Sequence, residues 1–204
     1  MNVLNKFAAV GVVLSGVAFA GAAQAVPGAP VINTTSSNSQ ATLTFLGFNA
    51  ADTDTLRVQA GSMDIFVNKT TAPGTTFTLT GPYSPGQEVV FQITDSTPPN
   101  LNTYFSGPAS RNPDGFTHAN VTANFGEFTG LPASAQTVVN GLPAGQTFVG
   151  FEDRPNGNSD RDFNDLVFAV RFTPSSVTVP EPASMALLGA GLAGIGFIRR
   201  RNAR

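Results

Sequence analysis

Between the two ends of this chain a helical period is hard to find, whereas apolar and polar residues alternate in short runs broken by glycine, proline, asparagine and aspartate. A two-residue period sends successive side chains to opposite faces of an extended strand, so such runs bury one face and wet the other. Thr42-Leu43-Thr44-Phe45 places Leu43 and Phe45 together, and Leu56 with Val58, Ile65 with Val67, and Phe77 with Leu79 repeat the pattern. Val89 to Ile93, the alternation of Val121, Ala123 and Phe125, and Thr147 to Phe151 continue it, while Leu166 to Phe172 is apolar on both faces except at Arg171. Turn chemistry separates the runs at Ala72-Pro73-Gly74, Ser84-Pro85-Gly86, Asn112-Pro113-Asp114-Gly115 and Leu142-Pro143-Ala144-Gly145. Nine or so strands at this spacing predict an all-β fold, an antiparallel β-sandwich or jelly roll. The Ser/Thr/Asn-rich stretch from Asn33 to Gln40 reads as a solvated leader.

Both ends depart from this pattern. Lys6, an apolar stretch from Phe7 to Ala20 and the small-x-small site Ala23-Gln24-Ala25 read as a secretory signal helix over residues 1–25, cleaved so that the exported chain starts at Val26. At the other end, Pro180-Glu181-Pro182 precedes an apolar run of 14 residues from Met185 to Ile198 and then Arg199-Arg200-Arg201. A polar motif, an apolar stretch and a basic stop fit a tail held in the membrane with its arginines on the cytoplasmic side. As a helix the run covers roughly 21 Å of a hydrocarbon core about 30 Å thick, which suits a temporary anchor. Pro180, Glu181, Pro182, Arg199, Arg200 and Arg201 resemble the PEP-CTERM sorting signal of Gram-negative bacteria. That resemblance implies an exosortase as partner and transient inner-membrane insertion of a transmembrane sorting helix within a sorting signal at 180–204. The stretch 173–179 before it reads as a spacer to the membrane.

Removing both signals leaves one domain of roughly 150 residues at 26–172, large enough for a real core. The chain has no cysteine, so no disulfide constrains it and no thiol chemistry is available. Between Val26 and Pro180 six cations face twelve carboxylates, a formal charge of −6, which disfavours nucleic acid as a partner. Signal peptidase and the general secretion machinery are the partners that the N-terminal signal implies.

The densest chemistry runs from Gly150 to Phe168. Five carboxylates, Glu152, Asp153, Asp160, Asp162 and Asp165, fall within 14 positions between two apolar strands, with Asn156 and Asn158 among them. Like charges this close repel unless they are solvated, paired or bridged by a cation, and oxygen donors in a Gly/Asn loop are what calcium takes, about six to eight at a time. Asn156, Asn158, Asp160 and Asp162 stand two apart, so a loop curled round one ion could aim several inward. No EF-hand is present, because Arg161 would occupy the obligatory glycine position. The competing reading is a solvated hairpin in which Arg154 and Arg161 pair with the acids. Transition metals are disfavoured, since the only histidine is His118. Asp54 stands outside the cluster in the sequence.

Gly150-Phe151-Glu152-Asp153, the Gly/Asn loop and Asp160-Arg161-Asp162-Phe163-Asn164-Asp165, with Asn112-Pro113-Asp114-Gly115 and His118 upstream, resemble an uncharacterised bacterial extracellular domain family across residues 86–172. The resemblance implies an extracellular β domain stabilised by calcium and no established reaction. The leading expectation is therefore an exported, non-enzymatic protein of the cell surface or extracellular matrix of a Gram-negative bacterium, processed by exosortase and linked to exopolysaccharide or biofilm. The alternative is a calcium-dependent carbohydrate-binding module, which the absence of tryptophan and the presence of only two tyrosines argue against. A hydrolase built on Glu152 and Asp160 ranks below both, because the acids are crowded rather than set as a separated pair.

Overall fold

A strand that is apolar on both faces needs a cover on each, and the strand that begins at Leu166 has two. In the computed structural model, which describes residues 26–59, 61–99 and 101–175, the chain forms two antiparallel sheets and one short helix. The strands are β1 (Val26–Pro27), β2 (Ser39–Gly47), β3 (Asp54–Val58), β4 (Phe66–Val67), β5 (Thr76–Tyr83), β6 (Phe91–Asp95), β7 (Thr103–Phe105), β8 (Ala119–Thr122), β9 (Thr147–Phe151) and β10 (Leu166–Pro174), with helix α1 (Ala133–Gly141) between β8 and β9. One sheet has the order β1-β8-β9-β10-β2-β5 and the other β4-β3-β6-β7. The protein is an all-β sandwich.

The inward residues of both sheets make one core. Leu43 and Phe45 from β2 and Leu166, Phe168 and Val170 from β10 meet Leu56, Phe66, Phe91 and Ile93 from the smaller sheet. Phe91 and Phe168 cross edge to face with centroids 5.0 Å apart, and Phe45 and Phe66 lie 5.5 Å apart. Each buried ring stabilises the sandwich by roughly 1.5–3 kcal/mol. The outward residues Val167 and Ala169 of β10 join Leu46 and Phe148 under α1 in a second cluster, so β10 is buried on both faces.

Three expectations change. The helix was not anticipated, although Leu131, Ala135, Val138, Val139 and Leu142 recur at helical spacing and all lie in or against that second cluster. The run to Phe125 is not all strand: β8 stops at Thr122, whose hydroxyl accepts from Asn124 N, and Asn124 Oδ1 then accepts from Gly126 N, turning the chain into the short 3-10 turn Phe125–Glu127. The leader is not simply solvated, because Asn33 is buried and donates to the Tyr83 carbonyl at 2.8 Å, and Ser39 already pairs with Pro174 at the end of β10. The signal segment with Ala23 and Ala25, most of the spacer, and the tail with Pro180, Glu181, Pro182, Arg199, Arg200 and Arg201 lie outside the described residues. Among the described residues no helix is long and apolar enough to cross a membrane.

Candidate metal centre

The register of β9 and β10 sets up the acidic loop. Leu166 pairs with Phe151, so the two central strands of the larger sheet release Glu152 and recapture Asp165 side by side. Asp165 N donates to the Phe151 carbonyl at 3.1 Å, and Asp153 N donates to Asp165 Oδ2 at 2.9 Å. Within the loop, Asn158 N donates to the Pro155 carbonyl at 2.8 Å, closing a turn. Arg161 and Phe163 take φ of 63° and 54°, a left-handed conformation that costs side-chain-bearing residues on the order of 1–3 kcal/mol each. Surrounding contacts hold them there: Arg161 Nη2 donates to Asn156 Oδ1 at 2.8 Å, and Phe163 is buried in the cluster under α1.

That backbone path gathers Glu152, Asp160 and Asp162, with one carboxylate oxygen from each lying within 4.8 Å of the other two. Glu152 is 1% exposed. Its Oε1 accepts from Phe163 N at 2.7 Å and its Oε2 accepts from the Ser159 hydroxyl. Asp162 Oδ1 accepts from Asn164 N at 3.3 Å, and its Oδ2 accepts from the Asn164 amide. Burial first, then the charge on Asp160, raises Asp162 to about 6. An all-oxygen donor set under mutual repulsion fits a hard cation. Arg161 and Arg154 do not neutralise this trio: Arg161 holds Asn156 and lies 5.2 Å over the Phe116 ring, while Arg154 Nη2 reaches Asp52 Oδ2 at 2.5 Å. A cavity of about 310 Å³ opens beside the trio, lined by Glu152, Asp153, Asn158, Asp160 and Asp165 among others.

The remaining candidates divide. Asn156 is committed to Arg161 through its side chain, and its N–H donates to Asp114 Oδ2 at 3.1 Å. Asp153 and Asp165 lean toward another group of acids that sequence reasoning did not find. Burial, then Asp153, Asp165 and Asp95, raises Asp54 to about 9. Asp165 is raised to about 8, by burial and then by Asp153. Asp54 therefore belongs among the acids from which its sequence position had separated it. The signal was present: alternation puts Asp54 on the face of Leu56, and Asp95 on the face of Ile93, both turned to the core.

His118 ties the neighbouring loop to this one. Its ring is 0% exposed and stacks on Tyr104 at 3.4 Å between centroids. Nδ1 is 3.0 Å from the Glu152 carbonyl and Nε2 is 3.0 Å from Asp114 Oδ2. Both nitrogens are occupied, so His118 is a buried hydrogen-bonding residue rather than a ligand. Tyr104, buried beneath it, is no platform for a sugar ring. A larger hollow of about 420 Å³ lies on the β5 edge, against Met63, Phe77 and Tyr83, and its lining holds no acid.

Gly150 lets the loop close. A Cβ there would stand 2.1 Å from the Phe163 carbonyl oxygen and 2.4 Å from Phe128 Cε1. Backbone cannot yield as a flexible side chain does, so Gly150→Ala is expected to destabilise the domain by about 3 kcal/mol. Urea denaturation checks this; a change under about 0.5 kcal/mol, the range of neutral surface substitutions, would show that the loop tolerates displacement.

Residues 71–173 match a family described as a domain of unknown function (DUF4114), and residues 178–201 match the PEP-CTERM protein-sorting motif. No curated protein matches the chain. The domain match covers Asp114, His118 and the whole acidic loop, and leaves Asp52, Asp54 and Asn68 outside it. The motif is that of an exported protein handled by an exosortase and anchored at the cell envelope.

Proposed function

The chain belongs to the DUF4114 family, and from that premise and its carboxylate geometry we propose that it is an exported, non-enzymatic protein whose acidic loop binds calcium. The single observation that carries this reading is the convergence of Glu152, Asp160 and Asp162 oxygens within 4.8 Å. Three carboxylates converging on one point, rather than a pair flanking a scissile bond, favour a shared cation over divided acid and base roles. In a domain without disulfides, an ion bound only by the folded chain supplies the constraint that a cross-link would. The sorting motif supports a place at the cell surface or in the extracellular matrix, where exopolysaccharide is the material to hand.

Scanning calorimetry of the purified protein in chelator and in millimolar calcium tests the metal. Calcium at 100 times its dissociation constant adds about 2.7 kcal/mol, which for a domain of this size raises the midpoint by ~5–10 °C. The Asp160→Ala/Asp162→Ala double variant should lose at least half of that rise. If it keeps the whole rise, the loop is not the site.

A further inference from the structure

Asn68 Nδ2, which donates to Asp54 Oδ2 at 2.7 Å, also reaches the Asp165 carbonyl at 3.5 Å, and Asp165 Oδ2 accepts from Asp153 N at 2.9 Å, so Asp153 and Asp165 lie beside an acid of the four-stranded sheet. Asp54 opens β3 and Asp95 closes β6, and the two are directly paired across the ladder, which puts their side chains on one face. Asp54, Asp95 and Asp153 are 0%, 1% and 2% exposed. Each leaves one carboxylate oxygen buried with no hydrogen-bond donor: Asp54 Oδ1, Asp95 Oδ2 and Asp153 Oδ2. The donors at hand are already used. Asn68 Nδ2 donates to Asp54 Oδ2 at 2.7 Å and to the Asp52 carbonyl at 3.1 Å, and Arg154 Nη2 is engaged by Asp52. Arg154 Nε comes only to 3.7 Å of Asp153 Oδ1. Buried carboxylate oxygens without donors are costly unless a proton or a cation satisfies them. Asp153 and Asp165 also line the cavity beside the loop, which gives an ion a way in.

We propose that Asp54, Asp153 and Asp165, with Asp95 alongside Asp54, form a second calcium site that clamps the four-stranded sheet to the β9–β10 loop of the six-stranded sheet. This site shares no ligand with Glu152, Asp160 and Asp162, so either can exist without the other. Asp54 lies outside residues 71–173, so the clamp joins the family domain to the strands that precede it.

Isothermal titration of the chelator-stripped protein with calcium counts the ions. Wild type should bind two per chain, Asp54→Asn one, the Asp160→Ala/Asp162→Ala variant one, and the triple variant none. A wild-type count of one that survives Asp54→Asn and vanishes with Asp160→Ala/Asp162→Ala overturns the clamp and leaves the loop site standing. A count of one with the opposite pattern keeps the clamp and removes the loop site. Asp54→Asn retains an acceptor for Asn68 and replaces a buried acid crowded by other acids with a neutral amide, so it should unfold at a higher temperature than wild type in chelator and at a lower one in calcium. If Asp54→Asn lowers the midpoint equally in both conditions, Asp54 is only structural and the clamp is wrong.

Discussion

Replacing His118 by alanine should cost the domain about 4 kcal/mol, the sum expected for emptying a fully buried aromatic-sized space and stranding its polar partners. The imidazole stacks face to face on Tyr104 and bridges the Glu152 carbonyl to Asp114. Asp114 in turn accepts from Asn156 N at 3.1 Å, so the ring holds the β7–β8 segment and the acidic loop as one unit. For a domain of this size the melting midpoint should fall by ~10 °C, and the Asn156 amide should exchange faster with solvent. The contrasting variant is Asp64→Ala. It breaks an ion pair to Arg57 at 2.6 Å whose partners are both substantially exposed, and exposed pairs contribute under about 1 kcal/mol. If the two substitutions shift the denaturation midpoint by the same small amount, His118 does not couple the loops.

The metal-free protein should lose stability as pH rises, the reverse of a domain whose carboxylates are salt-bridged. Burial and neighbouring acids raise Asp54 to about 9, Asp165 to about 8, and Asp153 and Asp162 to about 6, all from an ordinary 3.8. In Asp153 the Arg154 guanidinium works against burial and Asp52 without cancelling them. Groups raised in the folded state keep protons that the unfolded chain releases, so their contribution is complete below about pH 4, declines through the raised values and is gone above about pH 9. A net linkage of two pKa units amounts to about 2.7 kcal/mol, a fall of ~5–10 °C in midpoint between pH 5 and pH 8.5. Saturating calcium should flatten that slope, because the ion replaces the protons. Thermal melts in chelator across that range are the measurement; a midpoint that is flat or climbs with pH would mean the acids are solvated and unburdened by one another.

The strands were legible because alternation is local. Leu43 with Phe45, Phe77 with Leu79, and Thr147 to Phe151 each need only their neighbours to declare which face is wet. Local spacing also marked the acidic loop and the His118 and Asp114 pattern upstream of it, and both ended at one site. The helix was missed for a related reason. Its apolar period spans only Leu131 to Leu142 and begins at a proline, so short runs of alternation around it dominated the reading.

The sequence by itself therefore determined the strand segments, their apolar faces, the carboxylate-rich loop and the sorting motif, since each is written in residues close along the chain. Which acids share a site was decided only by the tertiary structure. Asp54 and Asp95 are 41 positions apart and meet because β3 and β6 pair in that register, and Asp54 and Asp153 bear on each other's ionisation because the two sheets close on a common core. Carboxylates repel or share a cation through space at a few ångströms, and no local period records which distant strand ends the packing will bring that close.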